Sequence, residues 1–220
     1  MIRLLVVVEG QTEEAVVNRV LQPHLATCGV FAIPTIVETR HLPGRPRDKG
    51  GLTSWAKARR DIARCLQDSA ARTTTLFDFY GLPDDFPGHG QARMPDPLAD
   101  VARIEQAMAQ DLSDPRFLPF LALHELEAWV LASPSEVGRH FGDAALSSKV
   151  ERVLGGFESP EYVNHGPETH PARRLEDLVP SYKKRSDGPA ILESAGIGRI
   201  RSRCAHFAEW LTRLEHLGSA

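Results

Sequence analysis

The sequence predicts an α/β domain built on a mostly parallel four-stranded sheet with helices on both faces. Three observations lead there. The first is an order of alternating strand-like and helix-like segments through about residue 132. The second is the near-continuous apolar character of the strand segments, which requires cover on both sides of the sheet. The third is the loss of strand patterning after Ser133.

Ile2-Arg3-Leu4-Leu5-Val6-Val7-Val8 reads as a strand buried on both faces. Glu9-Gly10-Gln11 breaks it. Thr12 is a candidate helix cap, with Glu13 and Glu14 in the first turn, where the helix dipole favours negative charge. Val16, Val17, Val20, Leu21 and Leu25 make an apolar stripe, and Pro23 is expected to kink or end that helix. Phe31 to Val37 is a second strand, and Pro34 makes it an edge candidate. Residues 40–51 read as a long loop. Thr53 or Ser54 then opens a helix that carries Trp55, Ala58, Ile62 and Leu66 on one face. Thr73 to Phe79 is the third strand. Residues 80–97 hold four Pro and three Gly and read as irregular loop. Leu98, Val101, Ile104, Met108 and Leu112 mark a helix, Phe117 to Leu123 the fourth strand, and Glu125 to Leu131 a further helix. Two regions follow: an α/β core over 1–132 and a helical extension over 133–220, packed on the core. The extension ends in an amphipathic helix whose Phe207, Trp210, Leu211 and Leu214 are expected to be buried.

Composition narrows the function. The 220 residues carry 26 Lys and Arg against 29 Asp and Glu, a formal charge of −3, so a polybasic nucleic-acid coat protein is excluded while a local basic groove is not. Cys28, Cys65 and Cys204 are isolated, which argues against a disulfide scaffold or a zinc ribbon and fits a reducing cytoplasm. No apolar run approaches the roughly 20 residues that span a bilayer, and the expectation is a soluble cytoplasmic protein without membrane contact. No GxxxxGK[ST] or GxSxG is present. Nor does GxGxxG follow the first strand, and His124-Glu125 lacks the second His of a zincin helix.

The acids are informative by position. Sites in open α/β sheets form at the carboxyl ends of the strands. Glu9 ends strand one, Asp78 strand three, and Glu125 and Glu127 follow strand four. An all-oxygen set of this type suits Mg²⁺ or Mn²⁺. On a regular helix Glu125 and Glu127 would diverge by about 200°, so both reach one ion only if Glu125 still belongs to the strand end. Charge is also segregated: residues 40–72 hold nine Lys and Arg against three Asp, and residues 78–127 hold ten acids against three Arg. An acidic centre beside a basic flank suits phosphodiester chemistry; a solvated, ion-paired helix face is the plainer account of any one of these arginines.

Val8-Glu9-Gly10-Gln11-Thr12-Glu13 resembles the opening of TOPRIM domains in OLD-type nucleases, and also that of a bacterial TOPRIM-like family of this size. Asp78-Phe79-Tyr80-Gly81-Leu82-Pro83 and Glu125-Leu126-Glu127-Ala128-Trp129 are similar to two further segments of that family, the last shared with RloB-like proteins. The resemblance implies a TOPRIM-like, Rossmann-like fold and a metal-dependent nuclease acting on DNA or RNA. It implies Glu9 near the scissile phosphate or on metal, and Asp78 on metal. Tyr80 stands where TOPRIM enzymes place a second Asp, so either Glu125 or Glu127 replaces that carboxylate or catalysis is lost and a binding module remains. Either Lys183 or Lys184 is the expected cation against transition-state charge; a solvated Lys-Lys-Arg turn is the alternative. By analogy with OLD proteins, a separately encoded ATPase partner, a phage-defence or DNA-repair setting and a possible homodimer are further expectations.

Overall fold

The computed structural model describes residues 1–37, 52–91, 94–163 and 166–219. Its centre is a parallel sheet of β1 (Ile2–Val8), β2 (Val30–Ile36), β3 (Ala71–Asp78), β4 (Phe117–Leu118) and β5 (Leu121–Ala122). The order is β2-β1-β3-β4, with β5 also paired to β3, and every pairing is parallel. β2 is the edge strand and carries Pro34 opposite Val6, as a residue without an N–H requires.

The expected fourth strand is two short ones. Pro119 lies between them and cannot donate to the ladder. β3 bridges the break with side chains: the Thr75 hydroxyl donates to the Phe120 carbonyl at 2.8 Å and accepts from the Phe120 N–H at 2.9 Å.

The first helix also differs from expectation. α1 (Gln11–Val16) continues through a π-helical turn over Val17–Leu21 into α2 (Gln22–Thr27), so Pro23 does not end the helix. A wider turn just before Pro23 accommodates its missing N–H and the bulk of its ring. No side chain caps α1. Thr12 is buried, and Gly10 occupies the cap position.

α3 (Trp55–Cys65) is capped by Ser54, whose hydroxyl accepts from the Lys57 N–H; α4 (Pro97–Leu112) is capped by Asp96. These two helices cover one face, where Val7, Phe77 and Leu121 meet Trp55, Ile62, Ile104 and Met108. The opposite face is covered by α1, α2 and by α5 (Glu127–Leu131) through α11. The intervening helices are α6 (Pro134–His140), α7 (Ala144–Leu154), α8 (Pro171–Leu178), α9 (Asp187–Ala195) and α10 (Ile197–Arg203). α11 (Ala205–His216) buries Phe207, Trp210, Leu211 and Leu214 on this face. Trp210 stacks on Phe120 at 4.1 Å, and its indole N–H donates to Thr74 Oγ1 at 2.9 Å. Among the described residues, no helix is long and apolar enough to cross a membrane.

Candidate metal centre

β1 and β3 run parallel side by side, so their carboxyl ends deliver Glu9 and Asp78 to the same edge. The Asp78 N–H donates to Glu9 Oε1 at 2.7 Å, which ties the two strand ends together. After β5 the chain turns at His124, a buried non-glycine residue with φ of 65° in the left-handed region. Glu125 therefore stands before the helix and Glu127 at its first position. This resolves the divergence that a regular helix would impose. Asp78, Glu125 and Glu127 each offer an oxygen to one cluster, with those atoms within 4.8 Å of one another.

The arrangement has a repeated logic. Each carboxylate has one oxygen held by the scaffold and one aimed at Lys184. Asp78 Oδ1 accepts from the Leu126 N–H at 3.0 Å, while Oδ2 lies 3.4 Å from Lys184 Nζ. Glu125 Oε2 accepts from the Ala172 N–H at 3.0 Å and lies 2.8 Å from His170 Nδ1, while Oε1 is 3.8 Å from Nζ. Glu127 Oε1 accepts from the Tyr182 hydroxyl at 3.3 Å, while Oε2 is 2.9 Å from Nζ. Fully buried Glu127 Oε2 thus has the ammonium as its partner.

Acids outnumber cations here, and several of them hold their protons more tightly than in water. Burial pushes the Glu9 carboxyl up to about 8, with the Asp78 charge adding to it. Burial and then Asp78 raise Glu13 to about 7. Burial raises Asp78, with Lys184 opposing. Burial raises Glu127 to about 8, Lys184 opposing while Asp78 and Glu125 add to the rise. Burial pulls the Lys184 ammonium down, but Asp78, Glu127 and Glu125 outweigh it and hold its proton more tightly than in water. One amine thus neutralises part of a five-acid centre.

Lys183 lies outside this centre. Its side chain is exposed and its backbone N–H donates to Asp187 Oδ2 at 2.7 Å, so Lys184 stands where the sequence left two candidates. Glu9 is beside the three-carboxylate cluster rather than in it. Glu13, read from sequence as a dipole partner, is buried beside Asp78. His170 has no sequence signal. Tyr80 stacks on His170 with ring centroids 4.9 Å apart. Of the basic flank, Arg59 is paired to Asp111 at 2.6 Å, and Arg60 and Arg64 lie near Asp61. Arg40, Arg45, Arg47 and Lys49 lie outside the described residues.

Fold and centre together define a parallel α/β protein with a buried acidic cluster at the carboxyl edge of its sheet. The chain belongs to the family described as "Domain of unknown function (DUF4276)", whose profile matches residues 8–215. No curated protein matches. Among solved structures, the C-terminal region of the Burkholderia pseudomallei OLD protein is similar, at 14% identity over 99% of each chain, with a TM-score of 0.48.

Proposed function

We propose that this protein is a divalent-metal-dependent nuclease of TOPRIM type that hydrolyses phosphodiester bonds in DNA or RNA. The observation that carries the reading is the set of three carboxylates, each held by one oxygen and aiming the other at a single point. Scaffold-held carboxylates are what a metal site needs, because outer contacts fix the ligands before the ion arrives. The donor set is all oxygen and suits Mg²⁺ or Mn²⁺. Fully buried Glu127 Oε2 faces this focus with a cation, the Lys184 ammonium, already beside it, which supports the same fit.

In this reading Asp78, Glu125 and Glu127 hold the ion, which when bound supplies Lewis-acid stabilisation of phosphoryl charge. Glu9 fixes the end of β3 through the Asp78 N–H, and thereby the position of the Asp78 carboxylate. His170 and Tyr182 orient Glu125 and Glu127. Lys184 fills the focus as a tethered cation and swings aside to set its ammonium against charge developing on the phosphate. A separately encoded ATPase partner, a cytoplasmic setting in phage defence or repair, and a homodimer belong to this proposal through the motif resemblance alone.

The Tyr80–His170 stack in place of a second Asp favours one rival, a non-catalytic module that binds nucleic acid or a partner protein. Incubation with plasmid, single-stranded DNA and RNA in Mg²⁺ or Mn²⁺ separates the two. Nuclease action predicts metal-dependent cleavage that Asp78→Asn abolishes. Binding without cleavage of any substrate, with and without a partner ATPase, establishes the rival.

A further inference from the structure

A second group of ligand-type side chains lies at the opposite edge of the sheet. His24 and Cys28 are one helical turn apart at the carboxyl end of α2, and Glu215 is in the last turn of α11. His24 Nε2 is 2.6 Å from Glu215 Oε1, and His24, Cys28 and Glu215 each offer one ligand atom to a group within 4.8 Å of one another. Cys28 directly precedes Gly29, whose carbonyl accepts from the Ile2 N–H, so the group sits where β1 and β2 begin. A seven-residue strand places this edge roughly 20 Å from Asp78.

We propose that His24, Cys28 and Glu215 form a zinc-class metal site that clamps the first helical segment to the last. The donor set is one nitrogen, one sulfur and one oxygen, which selects a borderline-soft ion such as Zn²⁺ rather than Mg²⁺. Bond lengths of about 2.0–2.3 Å put tetrahedral donors roughly 3.3–3.6 Å apart, within the present spread. The His24–Glu215 pair opens by about 0.7 Å to admit the ion.

Two helix carboxyl ends converge here, and both dipoles favour a cation. A thiolate and a carboxylate meet two positive charges, with the Arg201 guanidinium as a further cation paired to that carboxylate. Arg201 Nη1 donates to Glu215 Oε1 at 2.8 Å, and its Nη2 donates to Thr212 Oγ1 at 2.8 Å. The guanidinium thus acts as the outer hydrogen-bond partner that orients a ligating carboxylate. All three ligands are half-buried, which leaves a fourth position to water.

Co²⁺ is the probe, added to the full metal-stripped chain in millimolar Mg²⁺ so that a hard cation is offered to the carboxylate centre. One equivalent is expected to give a thiolate-to-cobalt charge-transfer band, removed by added Zn²⁺. Cys28→Ser abolishes the band, and His24→Gln weakens binding roughly tenfold or more. Asp78→Asn leaves the band intact, so this outcome is independent of the nuclease reading. Absence of the band at millimolar Co²⁺, or its survival in Cys28→Ser, overturns the site and leaves a metal-free His24–Glu215–Arg201 ion pair network. Cys28→Ser nearly keeps the side-chain volume, so it removes the ligand without removing the packing.

Discussion

Two buried glutamates in this molecule are neutralised in different ways. Glu161 is 1% exposed and accepts from the His206 and Phe207 N–H groups at 3.0 and 3.1 Å, at the start of α11. Its partners are backbone donors, fixed by the helix, and each of its oxygens has one. Glu127 is 0% exposed and depends on the Tyr182 hydroxyl and the ammonium of a long side chain that it shares with other acids. A buried acid satisfied by backbone is an element of architecture. A buried acid left to share one side-chain cation keeps capacity for another cation, and that surplus distinguishes a site from a cap.

The contrast breaks most visibly in stability. Glu161→Ala removes two charge-assisted bonds at a helix start and should cost about 3 kcal/mol, the same in EDTA and in Mn²⁺, read by denaturant unfolding. Lys184→Met should cost about 2 kcal/mol in EDTA, because the carboxylates lose their counter-charge. Millimolar Mn²⁺ should restore that loss, and the variant should bind Mn²⁺ more tightly than wild type, since no ammonium competes. Equal responses of the two variants to Mn²⁺ would erase the distinction.

Acidity sharpens it further. Glu9 and Glu127 release their protons near 8 when folded, against an ordinary value of 4.5. Between these values the folded state binds more protons than the unfolded one, so metal-free stability should fall as pH rises, by about 1.4 kcal/mol per pH unit for a one-proton difference. Lys184 is shifted upward from an already high value and does not titrate in this window. Bound Mn²⁺ should flatten the slope, because the centre is then deprotonated throughout. The smallest effect is expected from Tyr182→Phe. Loss of one hydrogen bond to Glu127 should cost about 1 kcal/mol in EDTA, and weaken Mn²⁺ binding by less than Asp78→Asn does.

The part of the centre built on strand ends was legible in the sequence. Apolar runs located β1 and β3, and parallel connectivity put Glu9, Asp78 and the Glu125–Glu127 pair on one edge. What was not legible depends on elements far apart in the chain. Lys183 and Lys184 are adjacent and chemically identical, and only the turn that follows α8 decides which one faces the acids. Glu13 follows Glu9 by four residues, but its burial comes from packing that no local pattern encodes. His170 reaches Glu125 across 45 residues of chain. The break at Pro119 carried a usable signal, since proline cannot donate to a central ladder. At Pro23 the proline signal pointed to a kink or an end, and a π turn ahead of it carries the helix onward instead.

In the proposed function Asp78, Glu125 and Glu127 form a divalent-cation site. Equilibrium binding of Mn²⁺, followed by the loss of the free-ion electron paramagnetic resonance signal in wild type and in Asp78→Asn, tests it most directly. At least one Mn²⁺ should bind per wild-type chain and be displaced by Mg²⁺, and Asp78→Asn should lose that binding with the fold intact. Wild-type protein that binds no Mn²⁺ at millimolar concentration, or an Asp78→Asn variant that binds as wild type does, would contradict it.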